Sequence, residues 1–129
     1  TDSTLKGQTV FLAERCGELM YNNIITDRTI IDVMAFTMNA KSIPHQDKDA
    51  FETYASEFIR EYDYIFYISP HGLEIEDNGV RETDEHYRDL IDFTITTLIK
   101  RHGHKAGAIE KISGSTEERI QQILNVTKL

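Results

Sequence analysis

The amino-acid sequence predicts an α/β fold, a three-layer doubly wound and mostly parallel sheet, and three observations carry that prediction. The run Tyr64-Ile65-Phe66-Tyr67-Ile68 is almost unbroken in its apolarity, the pattern of a strand covered on both faces. Segments of helical periodicity alternate with β-rich runs, the order that joins parallel strands through right-handed crossovers. The 129 residues, 40% hydrophobic and 28% charged, suit one globular domain spanning 1–129, with no repeat, low-complexity tract or interdomain linker.

The first element is a helix over about 4–20, where Leu5, Leu12, Cys16 and Leu19 recur at roughly helical spacing and Gly17 is the weak point. Residues 21–23 form a turn, and the β-branched Ile24-Ile25-Thr26 predicts a short strand that stops at Asp27. A helix follows over 29–39. Ile30, Ile31, Val33, Met34, Phe36 and Met38 make it apolar almost all round, so burial on more than one side is expected. Pro44 breaks it, and 47–61 forms another helix with Phe51, Tyr54, Ala55, Phe58 and Tyr62 on one stripe.

The strand at 63–70 comes next, then a polar, acidic, glycine-containing loop at 71–83. A long helix over 84–102 sets Tyr87, Leu90, Ile91, Ile95 and Leu98 on one face. Lys100, Arg101 and His102 occupy its last turn, and Gly103 stops it. The last strand is 106–112, and Ser115-Thr116-Glu117-Glu118 is a capping box that opens a closing helix through Ile120, Ile123 and Leu124.

In open parallel sheets, ligands bind beyond the carboxyl ends of the strands, where loops and helix N-termini converge. Three segments are expected there, all along one edge: Asp27-Arg28-Thr29, Ser69-Pro70-His71 and Ser113-Gly114-Ser115-Thr116. A carboxylate directly after an apolar strand, as at Asp27, can hold a hydrated magnesium ion or accept a proton, and Arg28 can bind phosphate bidentately. Helix capping by Asp27 or Thr29 accounts equally well for the same spacing. Asp32 either supports Arg28 or is solvated. Arg81 and Arg88 bracket the acidic stretch 82–85; the spacing by itself favours surface ion pairs, and it also suits a loop that closes over a transferring phosphoryl group.

Other chemistries fit less well. The net charge of −8 argues against a partner that is bound through its phosphate backbone, so nucleic acid is not expected, although two or three cations can still build a pocket for one phosphorylated ligand. The single Cys16 cannot form an internal disulfide; a buried reduced thiol in a cytoplasmic protein fits it. No apolar run reaches the length of a membrane span, and no signal-peptide pattern opens the chain. The five histidines lack zinc-ligand spacing, and Ser113-Gly114-Ser115 does not match a nucleophile elbow.

Four segments in order carry a resemblance. Residues 23–36, with Thr26-Asp27-Arg28-Thr29 at the strand-to-helix junction, are followed by the strand at 61–70, by Arg81 and Arg88 in 78–88, and by the turn and helix at 112–119. This order resembles small P-loop nucleoside and nucleotide kinases of the AAA-like ATPase/kinase group, which includes nicotinamide riboside kinase domains and phage deoxynucleotide kinases. The resemblance implies a P-loop NTPase-like sheet and an arginine-bearing lid at about 71–88. It implies ATP and Mg2+ as cofactors, and Asp27 as the catalytic or magnesium-associated carboxylate. Arg28 would be the acceptor-side phosphate or ribose contact, Arg81 and Arg88 the lid arginines, and Ser113, Gly114 and Ser115 the turn near adenine.

The group's first strand and its glycine-rich loop, which grips the β- and γ-phosphates, find no counterpart: the seven glycines form neither G-x-x-x-x-G-K-[ST] nor G-x-G-x-x-G. An N-terminal segment ahead of Thr1, or a second chain in a homo-oligomer, is expected to complete the sheet. The expected function is ATP-dependent phosphoryl transfer to a small nucleoside or nucleotide, incomplete in this chain alone. The alternatives are a noncatalytic kinase-like interaction domain and an ATPase without acceptor. Phe36, Tyr54, Phe58 and Tyr62 are candidates either for base contacts or for core packing.

Overall fold

The computed structural model describes residues 3–70 and 85–129. Five helices and two strands follow in the order α1 (Leu5–Glu18), α2 (Ile30–Met38), α3 (His45–Ser56), β1 (Tyr64–Ile68), α4 (Glu85–His102), β2 (Ala108–Ile112) and α5 (Thr116–Thr127). Short 3-10 turns, Glu57–Glu61 and Gly103–Lys105, extend α3 and α4.

The core is built around α2. Ile30, Ile31, Met34 and Ala35 are fully buried, and α1, α3 and α4 all pack against this helix, as its all-round apolarity predicts. Burying its backbone and polar groups requires partners. Gln8 on α1 reaches across to donate to the Val33 carbonyl (3.2 Å) and to Thr37 Oγ1 (3.0 Å), and Asn39 Nδ2 donates to Thr94 Oγ1 on α4 (2.8 Å). Gln8 is therefore a core residue although its type reads as surface. Cys16 packs at the edge of the same core, and burial raises its thiol pKa.

On α3, Phe51, Ala55 and Ile59 face the core, whereas Tyr54 lies outside and stacks edge-on against Phe58 at 5.2 Å. Glu52 on this helix is buried because α4 supplies its counter-charges. Arg101 Nη1 approaches both carboxylate oxygens at 2.9 and 2.7 Å, and His102 Nε2 lies 2.7 Å from Oε2. One turn on, Lys105 Nζ donates to the buried Ser56 Oγ at 3.0 Å. These contacts staple α3 to the end of α4.

β1 and β2 are parallel, in the register Tyr64↔Ala108 through Ile68↔Ile112, with α4 in the connection between them. The α/β class therefore holds, but two expectations are corrected. Among the described residues the sheet has two strands, not the many of a doubly wound sheet, and β1 is not buried on both faces. Within β1 only Ile65 is buried; Tyr64 and Ile68, on the opposite face, are exposed, because no described element covers that face.

The predicted strand at 24–26 is also absent. Ile25 is 95% exposed, and the segment lies in a turn between left-handed residues Asn23 (φ 57°) and Arg28 (φ 73°). Strand pairing needs a neighbouring edge, and none of the described strands offers one to these three residues. Local bonds replace the ladder: Thr26 Oγ1 donates to the Arg28 carbonyl and Arg15 Nη1 to the Asp27 carbonyl, each at 3.0 Å.

Candidate functional site

The turn at 24–28 is held against α1 and runs directly into α2, and this junction opens two adjoining clefts that share Arg15 and Arg28. The inner one, of about 370 Å³, lies between α1 and α2. Its walls include Phe11, Glu14 and Arg15 from α1 and Arg28, Asp32 and Phe36 from the turn and α2. Helical geometry explains the α1 set, since positions i, i+3 and i+4 share a face.

Thr29 rather than Asp27 caps α2. Thr29 Oγ1 accepts the Ile31 amide at 3.1 Å, and Asp32 Oδ2 accepts the Thr29 amide at 2.8 Å, a reciprocal capping box. That assignment leaves Asp27 exposed, with only its main-chain carbonyl engaged among the described residues. The remaining Asp32 oxygen faces Arg28 Nη1 at 3.9 Å, a loose ion pair, and the Arg28 side chain is 62% exposed. Arg15 is more committed: besides Asp27 it pairs with Glu18 Oε1 at 3.2 Å.

The sequence expectation that three segments share one sheet edge is corrected here. The first α2 amide, that of Ile30, donates to Tyr62 Oη at 3.2 Å, and Tyr62 precedes β1 by two residues. At about 3.3 Å per residue, Ser69 stands roughly 20 Å further along the strand. Asp27, Arg28 and Thr29 therefore adjoin the amino-terminal approach to β1, whereas Ser69 and Ser113 follow the carboxyl ends of β1 and β2. The Tyr62 hydroxyl is held un-ionised up to about 12, chiefly by burial.

At the far end, the Ser113 to Ser115 turn is closed on itself. Ser115 caps α5 by accepting the Glu118 amide (3.1 Å), Glu118 Oε1 accepts the Ser115 amide (3.1 Å), and Gln122 clamps both the amide and the carbonyl of Ser113. Gly114 is left-handed (φ 99°), and a Cβ there would meet the Glu118 side chain at 3.1 Å. The Ser113 and Ser115 amides are thus used locally. The same bonds to Ser115 hold the Glu118 carboxyl below its ordinary range.

Arg81 and the lid segment through residue 84 lie outside the described residues. Arg88, in the first turns of α4, sits 3.9 Å from Asp89, and its Nε is buried without a hydrogen-bond partner among the described residues. One turn later Asp92 accepts a short hydrogen bond from Tyr67 Oη on β1; burial first, and then this carboxylate, push the phenol up to about 12. Nothing local pairs Tyr67 with Asp92: the tyrosine belongs to the apolar run of β1 and the aspartate to the polar positions of α4, 25 residues away. Phe11, Glu14 and Arg15 did carry a signal, their i, i+3, i+4 spacing, which is indistinguishable from a solvated helix face until α2 is seen beside it.

Among the described residues no three His, Cys, Asp or Glu side chains converge as a metal cage. Asp27 alone does not make a magnesium site; it fits the ion only as one ligand beside phosphate oxygens brought by a nucleotide. No described helix is long and apolar enough to cross a membrane. Comparison with protein-family models, with curated proteins and with solved structures finds no match to this chain.

Proposed function

We propose that the chain takes part in ATP-dependent phosphoryl transfer to a small nucleoside or nucleotide, with the acceptor held in the α1–α2 cleft. The observation that carries this reading is Arg28. A non-glycine residue at φ 73° costs on the order of 1 kcal/mol, and backbone strain of this kind gathers at functional positions. Here it sets an exposed guanidinium at the rim of a cleft with aromatic walls. The ordered resemblance of four segments to small P-loop kinases supports the same reading. On it, Arg28 contacts the acceptor's phosphate or ribose, Asp27 supplies one oxygen to nucleotide-borne Mg2+, and Arg88 with Arg81 belongs to the lid. Since the Ser113 and Ser115 amides are bonded to the Gln122 and Glu118 side chains, the contact of this turn with adenine would be through packing rather than those donors.

The test is transfer of radiolabelled γ-phosphate from ATP with Mg2+, using the protein as its natural source makes it and a panel of nucleosides and nucleoside monophosphates. Arg28→Gly is the informative variant, because glycine is at ease in this backbone conformation and the cation is lost without strain. Transfer that drops at least tenfold in the variant supports the proposal; no transfer to any acceptor refutes it.

A second reading, a noncatalytic interaction domain, is favoured by Met20, Tyr21, Ile24 and Ile25, large apolar side chains that are all exposed within one short stretch of chain. Sedimentation supports it if the protein self-associates and Ile25→Asp abolishes association.

A further inference from the structure

Building on the acceptor reading of the α1–α2 cleft, we infer that Phe11 and Phe36 are the walls between which the aromatic base of a nucleoside phosphate is stacked, and that Phe11 sets the preference for that base. Three kinds of chemistry meet in this one cleft, and each matches one part of such a ligand.

The aromatic part comes first. Phe36 is half-buried, packed against the core and against the ring of Tyr87 at 6.2 Å, so it forms a fixed wall. Phe11 is a large ring left 52% exposed on α1, at a position where helix packing does not require it. A half-exposed phenylalanine that lines the same cleft as a fixed aromatic wall offers a π-face to a planar ring, because every base has a π-face and stacking needs no directional donor.

The polar parts follow from the same residues. Glu14 lies on the Phe11 face of α1, lines the cleft and makes no ion pair among the described residues, so its carboxylate can accept sugar hydroxyls. Asp32 is less available, with one oxygen fixed on the Thr29 amide. Arg28 supplies the cation, and its only ion pair among the described residues is the loose one with Asp32. Arg15 is held on Asp27 and Glu18 and reinforces the positive potential of that end. A cavity of about 370 Å³ is within the usual range for a ligand of this size. An apolar ligand would strand Glu14 and Arg28, and inorganic phosphate alone would leave the rings uncovered.

The experiment is a calorimetric or NMR titration with three probes: a nucleoside 5′-monophosphate, the corresponding free nucleoside, and ribose 5-phosphate. Wild type, Phe11→Ala, Phe11→Tyr and Arg28→Gly are compared. The monophosphate is expected to bind best. Phe11→Ala should weaken it about tenfold, in line with the loss of one stacking partner. The same change should leave ribose 5-phosphate unaffected, and Phe11→Tyr should retain binding. Arg28→Gly should weaken both phosphates and spare the free nucleoside. Equal affinity of wild type and Phe11→Ala for the monophosphate, or ribose 5-phosphate binding as tightly as the monophosphate, overturns the stacking role while phosphoryl transfer by the native protein would still uphold the acceptor reading. If no probe binds and no transfer is seen, both fall. Since Phe11 is half exposed, its substitution leaves the core intact, and far-ultraviolet circular dichroism checks this.

Discussion

Replacing Glu52 by Gln probes the staple between α3 and α4, where one buried carboxylate accepts from two side chains of α4. The carboxylate and the His102 ring are each about nine-tenths buried, at 11% and 12% exposure, while Arg101 is half exposed. A hydrogen bond to a charged group contributes about 1.5–3 kcal/mol. The half-exposed Arg101 is screened, so its share falls toward the ~0.2–1 kcal/mol of a surface pair. Gln keeps one carbonyl acceptor and offsets part of the loss. The net expected cost is about 2 kcal/mol, or roughly 8 °C in Tm for a domain of this size.

The pH dependence has a definite sign. Burial raises the Glu52 carboxyl, but the hydrogen bonds and charges of Arg101 and His102 outweigh it and hold the group below its ordinary 4.5. A depressed carboxyl contributes stability above its unfolded value and loses it as pH falls through the folded value. Urea unfolding followed by circular dichroism should therefore show wild type more stable than Glu52→Gln at pH 6, with the gap closing below about pH 4.5. A difference under about 0.5 kcal/mol at pH 6, or one that persists unchanged into acid, refutes the reasoning.

Two further outcomes follow from the same physics. A Cβ on Gly107 would lie 2.4 Å from the Asp63 carbonyl oxygen, a backbone atom at the entry to the β1–β2 pair, so Gly107→Ala should cost about 2 kcal/mol in urea unfolding; an unchanged midpoint would show that the strands can separate there freely. Tyr62 and Tyr67 are both pushed from 10 to about 12, so the folded state holds their protons more tightly than the unfolded one, and stability should fall as pH rises from about 10 to 12. In an ultraviolet titration the Tyr62 and Tyr67 phenols should ionise only toward about pH 12, one such late step being lost in Tyr62→Phe and one in Tyr67→Phe; late steps that survive both substitutions unchanged would contradict this.

The sequence by itself determined the helices and their punctuation. Ser115 read as a cap, Asp27 or Thr29 as alternative caps, Pro44 as a break and 29–39 as a segment buried on more than one side, because local hydrogen bonding and periodicity are written in consecutive residues. It also marked both strands of the sheet, at 63–70 and 106–112, the first through its unbroken β-branched and aromatic run. Only the tertiary structure decided what those elements do together. Ile24-Ile25-Thr26 has strand-forming side chains, yet a strand exists only where another edge meets it, and none of the described edges does. Gln8 and Glu52 look like surface residues until Thr37, Arg101 and His102 are brought to them across 29 to 50 positions of chain. The candidate site divides in the same way. Arg28 stood out from its neighbours in sequence, but Phe11 and Glu14 joined it only through the packing of α1 on α2, a long-range contact that no local pattern encodes.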